Sequence, residues 1–228
     1  MSLTKKLLPL AMWLNPSAWA QQAPISRSLD SLDGLKAHTT SMAAATHQGR
    51  AAVRVVPDPA SPAEKEDKLV LISGSEDFSD GTIEIDVAGR PGTGASGQAR
   101  GFVGVAFRVA ADRSKFECFY LRPTNGRAED QLRRNHSAQY ISFPEYPWAR
   151  SRKETPEKYE SYVDLEPGVW TKVRITVRGE QAHLYVHGNA QPTLIVNDLK
   201  HGAGARGAVA LWIGPGTEAH FANLRITR

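Results

Sequence analysis

The sequence predicts an all-β protein built as an antiparallel sandwich, and three observations carry that prediction. Short strand-like runs recur from Arg50 to the end of the chain, separated by Gly and Pro punctuation. Thr82 to Val87 alternates cleanly, with Ile83, Ile85 and Val87 on one face and Thr82, Glu84 and Asp86 on the other. No segment keeps a helical period over three turns, so helices do not form a layer of their own.

The elements follow in chain order. Residues 1–20 read as a secretory signal: Lys5 and Lys6, then the apolar stretch Leu7 to Leu14, then Ala18-Trp19-Ala20 as a peptidase site. Cleavage is expected after Ala20, and the product is expected in the periplasm or outside the cell. The apolar stretch is far shorter than the roughly 20 residues a bilayer span needs, and no later segment predicts a span. Residues 21–48 are polar and weakly patterned, a lead-in with one short edge strand. The sandwich domain is assigned to 49–228. Its first runs are Ala51 to Val56 and Leu69 to Ile72, separated by Pro57-Asp58-Pro59, Ser61-Pro62 and a charged loop from Glu64 to Lys68. Asp80-Gly81 turns the chain into Thr82 to Val87. The Gly-rich stretch 89–99 is a loop, because a phosphate-binding loop needs a helix directly behind its glycines.

Phe102 to Val109 and Lys115 to Arg122 are two further strands. Residues 123–168 are long, irregular and rich in Arg, Asn, Gln, Tyr and Trp. Trp170 to Arg178 and Ala182 to His187 make a hairpin around Gly179-Glu180. Pro192 to Val196, Ala208 to Ile213 and Ala219 to Thr227 are the closing strands. Cys118 is the sole cysteine, so the chain has no internal disulfide, and inside a strand it reads as a small buried hydrophobe.

The formal charge of +4 is unevenly spread. Residues 21–99 carry 7 basic and 11 acidic side chains, residues 100–153 carry 11 and 5, and residues 154–228 carry 8 of each. A basic middle third can attract anionic ligands, acidic glycans among them, and is equally the pattern of a solvated surface. Nucleic acid is not expected as a partner, because no recognised binding motif accompanies the charge.

Four segments resemble the concanavalin A-like lectin and glucanase superfamily. Phe78-Ser79-Asp80-Gly81-Thr82-Ile83-Glu84-Ile85-Asp86-Val87 resembles an early sheet strand. Gly101-Phe102-Val103-Gly104-Val105-Ala106-Phe107-Arg108 resembles the next strand in the laminin G-like and 3-keto-disaccharide hydrolase-type branches. Trp170-Thr171-Lys172-Val173-Arg174-Ile175 and Ala219-His220-Phe221-Ala222-Asn223-Leu224-Arg225-Ile226 resemble the paired late strands. The resemblance covers roughly residues 50–228. It implies a jelly-roll sandwich of two antiparallel sheets with carbohydrate bound on the concave face. It does not fix an activity, since the superfamily holds lectins, glycosidases, lyases and adhesion modules.

Three constellations are candidates for chemistry. Glu84-Ile85-Asp86 matches two acids of the Glu-x-Asp-x(-x)-Glu strand of family 16 glycoside hydrolases, but Ala88 and Gly89 stand where the third acid belongs. Alternating acids on a strand usually face water. His183, Tyr185 and His187 share one strand face, yet the two histidines lie roughly 13 Å apart, too far for one metal ion. No metal site is predicted, and the sequence leaves open whether calcium braces the loops.

The middle region is the best-supported site. Sugar sites need flat aromatic surface for the C–H face of the ring, and planar amide, carboxylate and guanidinium groups for hydroxyls. Trp148 and Tyr140 are expected to stack on the ring, with Tyr120 beside them. Arg122, Asn125, Arg134 and Gln139 are expected to pair with hydroxyl or carboxylate groups. In the resemblance, laminin G-like proteins carry a similar Arg-Pro-x-Asn turn, Gln-Tyr pair and Trp, matched here by Arg122-Pro123, Asn125, Gln139-Tyr140 and Trp148. Glu117 and His136 are the first acid/base suspects if the protein cleaves glycans. The expected function is an exported carbohydrate-binding protein, and the clustered arginines could suit an acidic sugar or a phosphate. A glycoside hydrolase and a non-catalytic adhesion module are the alternatives.

Overall fold

A computed structural model describes residues 23–62 and 67–228. The expected secretory segment lies outside the described residues, as do residues 64–66 of the charged loop. Two antiparallel sheets face each other. One has the order β13 (Leu194–Val196), β12 (Gln181–Val186), β11 (Thr171–Arg178), β6 (Gly81–Pro91), β15 (Thr217–Thr227), β4 (Arg50–Pro57), β3 (Thr40–His47), with β1 (Ile25–Arg27) also paired to β15. The other has the order β10 (Glu160–Ser161), β9 (Ala138–Phe143), β8 (Phe116–Leu121), β7 (Val103–Val109), β14 (Ala208–Ile213), β5 (Leu69–Ile72), β2 (Leu35–His38).

The alternation seen in sequence is the reason for the layering. Ile83, Ile85 and Val87 of β6 point inward, opposite Ile175, Val173 and Thr171 of β11. From the facing sheet come Val103, Val105 and Phe107 of β7, Phe119 and Leu121 of β8, and Val209, Leu211 and Ile213 of β14. Each such side chain contributes about 1.5–3 kcal/mol by leaving water. The β11–β12 hairpin turns at Gly179, as expected, with φ at +57°.

The N-terminal segment departs from expectation. Residues 25–47 supply three strands rather than one edge strand, and they pair with β15, β5 and β4. β3 hid because its Thr-Ser-Met-Ala-Ala-Ala-Thr-His sequence lacks large alternating residues; only Met42 packs against the core. Its hairpin to β4 turns through Gln48 and Gly49, both at positive φ, the geometry a two-residue turn between twisted strands requires.

Arg108 sits at a bulge where the β14–β7 register shifts, with φ at +53°. Its buried guanidinium donates to the carbonyls of Ser79, Gly179 and Gly202 and to Asp80. One cation thereby ties three turns together at one end of the sandwich. No helix among the described residues is long and apolar enough to cross a membrane.

Candidate functional site: a cleft on the outer face of the seven-stranded sheet

Strand β8 is buried on both faces. Phe119 and Leu121 enter the inter-sheet core, while Phe116, Cys118 and Tyr120 join a second apolar cluster on the outer face with Ile141 and Trp212. Part of that outer face floors a cleft of about 890 Å³. Tyr120 and Trp212 meet with ring centroids 4.8 Å apart, and Phe102 stands edge-on to Tyr120 at 6.0 Å. Gly104 lies between them, paired to both Tyr120 and Trp212 across the ladder. A Cβ there would strike the Phe119 carbonyl and the Tyr120 Cβ. The glycine leaves room for strand β8 and the Tyr120 side chain to pack closely at this point.

The walls come from irregular segments with local reasons for their shape. A 3₁₀ turn, Pro123–Asn125, follows β8 directly and brings Asn125 to the cleft. Asp130 caps the short helix α1 (Gln131–Asn135) by accepting from the Arg133 N–H at 3.1 Å. Arg133 and His136, three positions apart, both reach the cleft. Helix α2 (Trp148–Glu154) places Arg152 one turn after Trp148, with its guanidinium 5.2 Å from the indole ring centre. Arg100 and the loop that includes Gly94 to Ser96 close another side.

A buried carboxylate organises these walls. Glu160 accepts from Arg122 Nη1 at 3.0 Å and from Arg152 Nη2 at 2.6 Å, and lies 3.5 Å from His136 Nε2. Burial by itself would raise the Glu160 carboxyl, but Arg152, Arg122 and His136 outweigh it and hold it below its ordinary value. His136 is also lowered, but by burial, which outweighs the opposing pull of Glu160 and favours the neutral ring at neutral pH. Arg122 is fully engaged. It also donates to the His136 carbonyl, to Tyr120 Oη and to Gln139 Oε1, and it lies over the Tyr120 ring at 5.0 Å.

Five of the residues singled out from sequence therefore line one cleft: Tyr120, Arg122, Asn125, His136 and Trp148. Gln139 sits behind it, fully buried, holding Tyr120 Oη at 3.0 Å. Arg134 faces elsewhere, over the Tyr162 ring. Two expectations are corrected. Tyr140 is fully buried in the inter-sheet core and cannot stack on a ligand. Glu117 is equally buried, accepting from Tyr140 Oη at 2.6 Å and from the His201 N–H at 2.8 Å. The pleat explains both: Gln139 and Tyr140 face opposite ways, as do Glu117 and Cys118. Asp86 is also committed, to Arg50 at 2.7 Å and Asn223 at 2.8 Å, on the outer face of the other sheet.

Sequence reasoning missed Arg100, Phe102, Arg152, Glu160 and Trp212. One signal for Trp212 was available: its face of β14 otherwise carries Ala208 and Ala210, small residues that leave a shelf beside an isolated ring.

No protein-family model matches this sequence. No curated protein matches it in sequence either. Solved structures do match. The carbohydrate-binding module CBM66 from Bacillus subtilis aligns with a TM-score of 0.58 at 15% identity, covering 86% of this chain and 96% of that one. A Bacillus subtilis protein of unknown function with a galectin-like fold aligns at 0.52 and 10% identity, covering 91% and 96%. The protein has the concanavalin A-like jelly-roll fold, a sandwich class that includes glycan-binding modules.

Proposed function

We propose that this protein acts outside the cytoplasm as a glycan-binding module, with the sugar seated in the cleft on the outer face of the seven-stranded sheet. The observation that carries this is the pairing of an aromatic shelf with planar polar groups in one opening. Phe102, partly exposed, and Trp148, 42% exposed, offer ring surface for the C–H faces of a sugar, above a nearly buried floor of Tyr120 and Trp212. Asn125 Oδ1 is buried beside the cleft with no protein partner, an acceptor suited to a hydroxyl. Similarity to a carbohydrate-binding module supports the class and not the site.

Glycosidic hydrolysis is the less favoured function. It uses two carboxyl groups on either side of the scissile bond. The described cleft lining supplies four arginines and a histidine but no carboxylate, Glu117 is sealed in the core, and Glu160 is occupied by cations.

Calorimetric titration with pooled neutral and acidic oligosaccharides tests the proposal. Saturable heat is expected, and Trp148→Ala is expected to weaken binding at least tenfold with an unchanged circular dichroism spectrum. Heat that continues at a steady rate after each injection would mean turnover and replace binding with catalysis. No heat from any pool would overturn both.

A further inference from the structure

The charge around the cleft is not balanced, and the imbalance is localised. Arg100, Arg122, Arg133 and Arg152 all line it. Glu160 is the carboxylate that answers them, and it is spent on Arg122 and Arg152. Arg100 donates only to neutral acceptors: the carbonyls of Gly97 and Ala99 and the Gln98 side chain. Arg133 carries no ion pair among the described residues; its contribution to α1 is through its backbone. Two guanidinium groups therefore face one opening without a counter-charge among the described residues. Arg100 feels this directly, since burial first, and then the charges of Arg133 and Arg122, press it below its ordinary value.

We propose that the glycan taken by this cleft is anionic, its carboxylate or sulfate held by Arg100 and Arg133 while the sugar ring packs against Phe102 and Trp148. This rests on the glycan-binding function above and adds the ligand's chemical class. An arginine meets a carboxylate or sulfate through two parallel N–H donors, a geometry a lone hydroxyl does not match. A neutral ligand would leave like charges facing one another across a partly dehydrated opening. An anion relieves that repulsion on entry, so Arg100 and Arg133 act as specificity residues. Arg122, whose two terminal nitrogens are committed to four acceptors, acts as a positioning residue for Tyr120 and His136.

The test is titration of the full chain with polygalacturonate, fully methyl-esterified polygalacturonate, chondroitin sulfate, dextran and poly-L-glutamate. Polygalacturonate or chondroitin sulfate is expected to bind saturably, and whichever binds names the anion. The methyl ester, which keeps the backbone and loses the charge, is expected to bind at least tenfold more weakly than the acid. Arg100→Gln and Arg133→Gln should each weaken acid binding about tenfold, the scale of a lost charge-assisted contact. Arg133→Lys, which keeps the charge and the fold of an exposed position, should lose less. If methyl ester or dextran binds as tightly as the acids and both Gln variants bind like wild type, the anionic class is overturned while glycan binding stands. Poly-L-glutamate binding equally well, with no effect of Trp148→Ala, would reduce the cleft to ion exchange and overturn both. Binding of no polymer would remove the glycan function and this inference with it.

Discussion

Two glutamates on the same sheet have opposite fates. Glu160 and Glu117 are both buried and both hydrogen-bonded. Glu160 lies on the outer side, gathered by Arg122, Arg152 and His136 at the edge of an open cleft. Glu117 points between the sheets and is met mainly by neutral donors, Tyr140 Oη and the His201 N–H, with His201 Nδ1 3.8 Å away. Around it, Tyr159, Asp198 and Lys200 extend a polar network that closes one end of the core. Cations around a carboxylate at a surface build a field that a ligand can feel. Neutral donors around a sealed carboxylate satisfy it and hold the strands in place. The difference separates a site from a brace although the residue type is the same.

Removing the brace should cost the most. Glu117→Ala leaves the Tyr140 hydroxyl and the His201 amide without an acceptor, and we expect a loss of about 3 kcal/mol in urea unfolding. Ligand affinity per folded molecule should stay within about twofold; a large affinity change would erase the distinction between the two clusters. Glu160→Gln, which keeps an acceptor, should cost about 2 kcal/mol, because the buried Arg122 loses its ionic partner.

The same variant tests the pH dependence. A carboxyl held below its ordinary value of 4.5 adds stability that is fully present above that pH. That contribution disappears as pH falls through the lower, folded-state value. Wild type should therefore lose stability more steeply than Glu160→Gln below about pH 4.5. Parallel acid-denaturation curves would show that the cluster does not favour the ionised form.

A smaller effect is expected at the shelf. Gly104→Ala forces the strand backbone at Phe119 and Tyr120 to shift, costing about 1–2 kcal/mol and weakening ligand binding. A variant that loses stability but binds normally would mean that the Tyr120–Trp212 floor does not shape the ligand site. The smallest change in stability belongs to Trp148→Ala, within about 0.5 kcal/mol for an exposed side chain, despite its expected loss of binding. Thermal melts beside titrations would separate these two quantities.

Much of the fold was legible because its period is local. Ile83, Ile85 and Val87 announce a core-facing strand without reference to any partner, and Gly179 announces the turn between β11 and β12. Strand β3 was not legible, because alanines carry little pattern and its pairing with β4 supplies the order. At the site, Arg122, Asn125, His136 and Trp148 stood out through composition, and Arg122, Asn125 and Trp148 also through the family resemblance. Tyr140 and Glu117 stood out equally and are buried, since a run such as Phe116 to Leu121, apolar on both faces, gives no parity from which to tell inside from outside.

The sequence by itself determined a β-sandwich, a basic middle third and an aromatic, arginine-rich segment between strands. Those properties are sums over residues or short-range periods, and they survive any arrangement of the chain. The tertiary structure decided which side of β8 and β9 forms the core, that Trp212 and Arg100 join a cleft formed by distant segments, and that Glu160 reaches across to Arg122. Those outcomes depend on the register between strands and on the path of residues 123–168. Both are set by packing among residues far apart in the chain, where no local pattern records the result.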